Sequence, residues 1–307
     1  MPQVSVVIPT CNRAEFLSTA IGSVLNQSFQ DFEILVVDDG SSDGTAELLQ
    51  ELDNPKIRSF RHDTPRGGAA ARNTGILHCN GDYVAFLDDD DKWYPKKLAC
   101  QMEVMRKSQP EVAAVYTGYV IIDRVSRKVC GRMIPSLRGN LYPKLLESNP
   151  IGGTSSVLLK RVCLEKVGLF DESLPSFQDR DLWIRISREF QFDCIADVLL
   201  NYFVHPNKVW TNLDALMRGL EIMLKKYGSS AAFKKQCSAR YLEFGVRLCE
   251  TNQNAKGRKA LLRSVALYPY RIQPYAYYSL SLLGWRAFVR ARETKATVCA
   301  RLGVHNP

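Results

Sequence analysis

The chain has 307 residues, of which 46% are hydrophobic and 24% charged, an ordinary composition for a globular protein with a sizeable core. Its nine cysteines are dispersed and form no Cys-x-x-Cys pair, which argues against a zinc site or a disulfide framework and favours free thiols in a reducing compartment. The formal net charge of +9 is uneven, because residues 205–307 carry a net +13 and residues 1–204 a net −4. The basic final third therefore predicts an anionic partner, such as a membrane surface, a phosphorylated lipid or a nucleic acid.

Strands and helices alternate from the beginning of the chain. Short apolar runs predict strands at residues 4–8, 32–37, 57–60 and 83–87, and helical spacing of apolar residues predicts helices at 14–25, 45–52 and 69–78. This alternation predicts an α/β fold with a mostly parallel central sheet flanked by helices. The sequence has no basic leader followed by an apolar run, and no apolar stretch reaches the length of a transmembrane helix.

The second half of the chain continues the pattern and then becomes helical. Strands are predicted at 113–122, 155–159 and 195–203, helices at 95–107, 161–167 and 182–190, and a hairpin or loop at 123–135. Several helices are predicted between residues 213 and 283. We therefore expect an α/β domain over residues 1–205 and a basic helical region over residues 206–307.

The strand predicted at residues 83–87 runs directly into four carboxylates, Asp88 to Asp91. Four adjacent acids repel each other, but carboxylate oxygens are the ligands that Mg²⁺ and Mn²⁺ prefer. Ligands of open α/β sheets bind beyond the carboxyl ends of strands. In a continued strand Asp88 and Asp90 point the same way and face one ion. The alternative is a solvated acidic turn that precedes the helix near Pro95.

The strand before Asp38 and Asp39 repeats this arrangement, so the two acidic strand ends are predicted to meet in one crevice. A nucleotide diphosphate is an anionic partner that suits a cation held there. Arg13, Arg66 and Arg72 each lie near a strand end and are candidates to balance phosphate charge, although each one alone is more commonly a surface ion pair. The sequence has neither a P-loop nor a Gly-x-Gly-x-x-Gly fingerprint.

Two further positions allow more than one interpretation. Asp179 and Asp181 open a predicted helix, where they either complement the helix dipole, with Asp181 pairing to Arg185, or supply a general base. His205 ends a strand and is either a metal ligand or an ordinary hydrogen-bonded histidine.

Five ordered motifs in the chain resemble those of the family 2 glycosyltransferases, which are inverting enzymes with the GT-A fold. The motifs are VSVVIPT from Val4, ILVVDDGSSDGT from Ile34, ARNTG from Ala71, FLDDDD from Phe86 and QDRDLW from Gln178. The resemblance covers the first 205 residues and not the basic final third.

The resemblance implies a nucleotide-sugar donor, with UDP, GDP or dTDP as the nucleotide. It implies that Thr10 and Asp39 contact the nucleobase and ribose and that Arg72 lies in the donor site. Together with Arg13, which is a candidate from its position, the complete set of expected donor-binding residues is Pro9, Thr10, Arg13, Asp39, Arg72, Asp88 and Asp89.

The resemblance also implies a divalent cation, Mg²⁺ or Mn²⁺, and a catalytic base. Asp88 and Asp90 match the ends of the family's Asp-x-Asp element, and His205 falls where some members place a further metal ligand. Asp179 matches the base, whereas Gln178 stands where the family often has Glu. We expect Asp179 to accept the proton of an acceptor hydroxyl while the diphosphate leaves from the opposite face of the sugar.

Two other function classes stay open on the sequence. An aspartyl phosphotransferase also uses acids after a buried strand with Mg²⁺, and a non-catalytic nucleotide-sugar or glycan-binding module needs no base. For the transferase we expect a glycan or lipid-linked acceptor of cell-surface polysaccharide or glycolipid assembly, and no nucleic acid. The location expected is cytoplasmic, with the inner face of the membrane as a peripheral docking surface for the basic region.

Overall fold

The computed structural model describes residues 1–205 and 212–292. The chain divides into two compact units, residues 1–212 and residues 213–307. The boundary predicted after residue 205 adjoins a stretch that lies outside the described residues.

The first unit is an α/β structure. Its strands are β1 (Val4–Thr10), β2 (Phe32–Asp38), β3 (Ile57–Arg61), β4 (Tyr83–Phe86), β5 (Lys92–Trp93), β6 (Val112–Asp123), β7 (Val129–Met133), β8 (Val157–Lys160) and β9 (Gln191–Val204). Its α-helices are α1 (Ala14–Leu25), α2 (Thr45–Glu51), α3 (Gly68–Leu77), α4 (Lys97–Lys107), α5 (Tyr142–Glu147), α6 (Arg161–Val167) and α7 (Gln178–Glu189).

All nine of these strands belong to one sheet, in the order β3-β2-β1-β4-β8-β6-β9-β5, with β7 paired to β6. Neighbours among β3, β2, β1 and β4 are parallel, as the alternating sequence predicts. The other half is mixed: β8 runs antiparallel to both β4 and β6, β7 to β6 and β5 to β9, whereas β6 and β9 are parallel. The α/β architecture is confirmed, and the predicted parallel pairing holds for the first half of the sheet.

One face of the sheet packs against helices α1 and α4. Alternate residues of β1, β2 and β4 point toward these helices because successive side chains of a strand face opposite sides. The buried cluster includes Val4, Val6, Ile8, Leu17, Ile21, Ile34, Val36, Ala85, Leu98 and Met102. Truncating one such side chain to Ala typically costs about 2–5 kcal/mol, so the cluster strongly stabilises the strand ends that carry the acids.

On the opposite face, helix α3 lies close to β1. A Cβ atom at Gly75 would overlap the side chain of Val7, so only glycine permits this approach. The same helix carries Arg72, which the short helix–sheet distance brings to the carboxyl edge of the sheet.

A buried glutamate, Glu33, interrupts the apolar sequence of β2 and joins the beginnings of several strands. Its carboxylate accepts hydrogen bonds from Ser5 Oγ (2.7 Å), Asn80 N (2.7 Å) and Arg58 Nη1 (2.9 Å). Burial by itself raises the pKa of Glu33, but these hydrogen bonds outweigh burial and hold the pKa below its usual value. Glu33 on β2 therefore connects β1, β3 and the turn before β4 through hydrogen bonds.

Several elements differ from the sequence prediction. The 123–135 segment is a hairpin between β6 and β7, and the strand expected at 155–159 begins with a 3₁₀ turn, Thr154–Ser156. Strand β5 and helix α5 were not predicted, because a two-residue strand and a six-residue helix carry too few residues for periodicity.

The described part of the second unit is helical, as predicted. Its helices are α8 (Leu213–Tyr227), α9 (Ala231–Glu250), α10 (Asn254–Leu267) and α11 (Gln273–Leu282), and residues 285–292 are also helical. Helices α9 and α10 pack closely where Gly245 and Gly257 leave no room for a Cβ atom. Among the helices of the described residues, none is long and apolar enough to cross a bilayer. The eight described cysteines are free thiols, also as predicted.

Candidate active site

The acids that follow β4 form a compact carboxylate cluster at the carboxyl end of the strand. Asp91 N donates a hydrogen bond to Asp88 O (3.0 Å), so the chain turns at this point and does not continue as a strand. One carboxylate oxygen each of Asp88, Asp90 and Asp91 lies within 4.8 Å of the other two. The expected pairing of Asp88 with Asp90 by strand alternation is therefore replaced by a turn that also brings in Asp91.

The chemistry and spacing of this cluster fit a divalent cation. Ligands of one Mg²⁺ ion lie about 3–4 Å apart, because each is about 2.1 Å from the ion. The oxygens of Asp88, Asp90 and Asp91 need only a small movement to reach that spacing. Carboxylate oxygens are also the donor atoms that Mg²⁺ and Mn²⁺ prefer.

Two residues at the start of β8 position the carboxylate cluster. Because β8 is antiparallel to β4, its amino end lies beside the carboxyl end of β4. Ser155 Oγ accepts a hydrogen bond from Asp88 N (3.1 Å) and donates one to Asp91 Oδ2 (2.7 Å). Thr154 Oγ1 donates to Asp88 Oδ1 (3.2 Å). The sequence analysis missed both residues, since only the pairing of β8 with β4 brings them to the acids.

Asp89 points away from the cluster toward the end of β1. It accepts hydrogen bonds from Thr10 Oγ1 (2.8 Å) and Arg13 Nη1 (3.0 Å). Burial raises the pKa of Asp89 to about 6, although the Arg13 guanidinium lowers it. Arg13 also reaches Asp90 Oδ2 (3.3 Å), so it links the two carboxylates and is not a surface ion pair. Pro9, at the end of the same strand, is half-buried.

His205 lies at the other side of the cluster. Its Nε2 atom is 2.8 Å from Asp90 Oδ2, and its ring packs beside Phe16. The histidine therefore contacts a candidate ligand of the cation, and its role as a ligand itself stays a prediction.

The end of β2 provides a second buried carboxylate, Asp39. Its oxygens accept hydrogen bonds from Arg66 N (2.8 Å), Gly67 N (2.7 Å) and His62 Nδ1 (2.7 Å). Burial acts to raise the pKa of Asp39, but these hydrogen bonds dominate and lower it. These hydrogen bonds hold the loop before α3, and because a carboxylate offers about four lone-pair directions, Asp39 can accept a further hydrogen bond. The sequence analysis missed His62.

Arg72 on α3 connects the carboxylate cluster to the beginning of α7. Its Nη2 atom donates to Asp88 Oδ1 (2.6 Å), and its Nη1 atom donates to Gln178 Oε1 (3.4 Å). Its Nε atom is buried and has no hydrogen-bond partner among the described residues. Gln178, which replaces the glutamate common in the resembling family, therefore helps to orient this arginine.

Asp179 lies one residue beyond Gln178, in the first turn of α7. Phe177 precedes the helix in the left-handed region (φ 62°), a conformation that is costly for an aromatic residue and is typical of functional sites. Burial raises the pKa of Asp179 above its usual value; the Arg180 N–H and Arg72 act against this, and Asp88 adds to it. Because the charges of Arg72 and Asp88 both act on this carboxyl, Asp179 lies near the carboxylate cluster.

Other residues near α7 have structural roles. Asp181 is buried and pairs with Arg185 Nε (2.9 Å), which is the structural alternative considered for it. Trp183 is fully buried and packs against Phe192, so it is a core residue and not a platform for a sugar ring. Tyr119 lies near Asp179 and was not predicted from the sequence. Burial is the main cause that raises the pKa of Tyr119 to about 12, and the Asp179 carboxylate adds to this shift.

Known proteins of similar sequence point to one family. Residues 5–167 match the family described as "Glycosyl transferase family 2". A relative from Rickettsia bellii, described as an uncharacterized glycosyltransferase, is 35% identical over 214 residues, which cover 67% of this chain and 30% of the relative. The chain thus matches about a third of that longer protein. WfgD of Escherichia coli, a UDP-Glc:alpha-D-GlcNAc-diphosphoundecaprenol beta-1,3-glucosyltransferase, is 32% identical over 192 residues, 62% of this chain and 72% of WfgD.

Solved structures share the fold at low sequence identity. TarS of S. aureus, residues 1–349 with UDP-GlcNAc, has a TM-score of 0.65 at 17% identity, covering 100% of this chain and 93% of TarS. The mannosyltransferase PcManGT of Pyrobaculum calidifontis, solved with GDP-Man and Mn²⁺, has a TM-score of 0.59 at 20% identity, covering 97% and 86%. With the family match over more than half of the chain, the conclusion is that this protein belongs to glycosyl transferase family 2.

Proposed function

We propose that this protein is an inverting glycosyltransferase that moves a sugar from a nucleotide-diphosphate donor to an acceptor hydroxyl. One observation carries the proposal: Arg72 joins the carboxylate cluster, through Asp88, to the start of α7, where Asp179 lies. A leaving diphosphate at the cluster and an acceptor at Asp179 would then lie on opposite sides of one sugar.

Donor binding in this proposal uses the strand ends. Asp88, Asp90 and Asp91 would hold a divalent cation, Mg²⁺ or Mn²⁺, which when bound neutralises the charge that grows on the departing diphosphate. The buried Nε–H of Arg72 supplies a further hydrogen-bond donor for a phosphate oxygen. Asp39, with its remaining acceptor capacity, would bind the nucleobase beside Pro9 and Thr10. The nucleotide is UDP, GDP or dTDP in this proposal.

Asp179 supplies the acid–base chemistry. It accepts the proton of the acceptor hydroxyl as the oxygen forms a bond to the anomeric carbon, and the bond to the diphosphate oxygen breaks with its electron pair. Because attack and departure occur on opposite faces, the anomeric configuration inverts. The raised pKa of Asp179, caused mainly by burial, makes its carboxylate a stronger base than that of a solvated aspartate.

The acceptor is proposed to be a glycan or a lipid-linked sugar. WfgD, as its name states, acts on a sugar linked to diphosphoundecaprenol, and a lipid-linked acceptor of this kind places the reaction at a membrane. We therefore propose a cytoplasmic enzyme that works at the inner face of the membrane in cell-surface polysaccharide or glycolipid assembly.

The test has two stages. A thermal-shift screen of UDP, GDP and dTDP with Mn²⁺ identifies the nucleotide, because a ligand that binds only the folded state raises the melting temperature. Turnover of the corresponding nucleotide sugars is then measured with GlcNAc-diphosphoundecaprenol and with free glycans as acceptors. A new glycosidic bond of inverted configuration supports the proposal. A stable aspartyl-phosphate intermediate, or binding of a nucleotide sugar without any turnover across the acceptors, would contradict it.

A further inference from the structure

Large apolar side chains are exposed in one short stretch of the second unit. Ile272 is 79% exposed and Leu283 is 72% exposed. The other exposed members are Tyr270, Tyr275, Leu282 and Trp285. In the described part of the first unit, exposed large apolar residues are isolated, such as Leu77 and Val162, or lie in and beside the β6–β7 hairpin, at Val125, Val129 and Ile134. Isolated exposed apolar residues are normal, whereas a concentration of them marks an interaction site.

We call the exposed side of helix α11, together with the residue before it and the residue after it, the α11 outer face. Its exposed positions are Ile272, Gln273, Tyr275, Ala276, Ser279, Leu282 and Leu283. The opposite side of the helix packs into a small core, where Tyr277, Tyr278 and Leu280 meet Leu261 and Phe288. Four large apolar side chains of the outer face, Ile272, Tyr275, Leu282 and Leu283, are thus exposed, which folding of this unit alone does not require.

The charge around the α11 outer face is positive. Residues 251–292 contain eight Lys and Arg residues and no Asp or Glu. Three of these cations pair with acids from elsewhere in the unit: Lys256 with Asp214, Arg263 with Glu221, and Arg292 with Glu250. Arg271 is next to Ile272, and the exposed Arg286 follows Leu283 by three residues.

We propose that the α11 outer face inserts into the interface of an anionic lipid bilayer. A helix of ten residues is about 15 Å long, too short to span but suited to lie in the plane of the interface with its apolar side toward the acyl chains. Tyrosine and tryptophan favour the headgroup level, and basic residues near an anionic surface strengthen binding to it. The anionic bilayer is thus the partner of this face, and only the biological purpose of the contact rests on the proposed function.

A second copy of the chain is a poorer occupant of this face. In a symmetric dimer the same patch would meet itself, so Arg271 and Arg286 would face basic residues of the other copy. Because residues 251–292 offer no acid, that contact would have no opposite charge from the same stretch. An anionic lipid surface complements both the apolar and the basic character of the patch.

The test is flotation of the purified full chain with unilamellar vesicles of phosphatidylglycerol and phosphatidylcholine, compared with vesicles of phosphatidylcholine alone. We expect binding to the anionic vesicles at low salt that weakens as salt rises. The double variant Leu282→Glu/Leu283→Glu should bind at least about tenfold more weakly, because it removes two apolar contacts and adds repulsion. The matched control is Leu77→Glu/Val162→Glu, which alters two exposed apolar residues of the first unit and should bind as the wild type does.

The remaining outcomes overturn the proposal or assign the face to a different occupant. Failure of the wild type to bind anionic vesicles, or equal binding by the α11 double variant, overturns the proposal. A wild-type dimer in analytical ultracentrifugation that becomes monomeric in the double variant assigns the face to a second copy instead. Nucleotide binding, measured without vesicles, should be the same in the wild type and the double variant. If the wild type binds no nucleotide, the proposed function is contradicted, but the proposed membrane-binding face is not.

Discussion

Replacing Ser155 by alanine removes the hydroxyl that positions the carboxylate cluster. Ser155 is almost fully buried, and its Oγ atom accepts from Asp88 N and donates to Asp91 Oδ2 at 2.7 Å. A hydrogen bond to a charged group contributes about 1.5–3 kcal/mol and a neutral one about 1 kcal/mol. We therefore expect Ser155→Ala to lower the free energy of unfolding by about 2–4 kcal/mol and to leave the protein folded.

The larger effect of Ser155→Ala should be on the cation. Loss of a hydrogen bond that orients a metal ligand typically weakens metal affinity by about 10–100-fold. Mn²⁺ binding is measured by electron paramagnetic resonance of the free ion, in the presence of the nucleoside diphosphate that most stabilises the protein. The Mn²⁺ affinity of the variant should be about 10–100-fold weaker than that of the wild type. The nucleotide affinity measured with Mn²⁺ should decrease as well.

Ser156→Ala is the matched control for this prediction. Ser156 is equally buried, but its Oγ atom donates to the backbone carbonyls of Ile151 (3.3 Å) and Gly153 (3.0 Å) and contacts no acid. This variant should lose about 1 kcal/mol of stability and keep Mn²⁺ affinity within about twofold. Wild-type Mn²⁺ affinity in Ser155→Ala, or an equal loss in Ser156→Ala, would refute the reasoning.

Three further predictions follow from the described contacts. Calorimetry of the nucleoside diphosphate should show strong binding with Mn²⁺ and weak binding in EDTA, and equal affinity would contradict a cation held by Asp88, Asp90 and Asp91. Arg72→Lys should weaken donor binding at least about tenfold, because lysine lacks the planar fork that reaches both Asp88 and Gln178; unchanged affinity would exclude the arginine from the donor site. Glu33→Gln should lower the free energy of unfolding by about 2–4 kcal/mol at pH 7. Since the folded-state pKa of Glu33 is lowered, its stabilisation is present above its ordinary pKa and is lost as pH falls through the folded-state pKa, so in urea titrations wild type and variant should converge at acid pH.

The first half of the sheet could be predicted because its strands are buried on both faces and read as continuous apolar runs. β1, β2 and β4 are of this kind, and parallel pairing places Asp39 and Asp88 at the same edge. Local sequence thus indicated the acids, Arg72 and the beginning of α7 as candidates for the site, and the family resemblance indicated Asp179 as the candidate base.

The details of the carboxylate cluster depend on contacts between distant parts of the chain, which periodicity does not encode. Ser155 reaches Asp88 only because β8 inserts antiparallel beside β4, 67 residues later in the chain. The turn closed by Asp91 N and Asp88 O replaces strand alternation, so Asp91 joins the cluster and Asp89 turns toward Arg13. His62 was missed for the same reason, since its partner Asp39 lies 23 residues earlier in the chain, directly after the neighbouring strand β2.

The most direct test of the central claim is to measure donor affinity and transfer rate together in Asp179→Asn, with Asp181→Asn as the control. Asparagine keeps the size of Asp179 and remains acceptable at a helix start, but it cannot accept a proton at neutral pH. Loss of a general base typically lowers the rate by about 10²–10⁴-fold, so Asp179→Asn should lose transfer and keep donor affinity. Asp181→Asn should weaken its buried contact with Arg185 and cost stability, while the folded enzyme still turns over. Normal turnover by Asp179→Asn together with an inactive Asp181→Asn would contradict the assignment of the base.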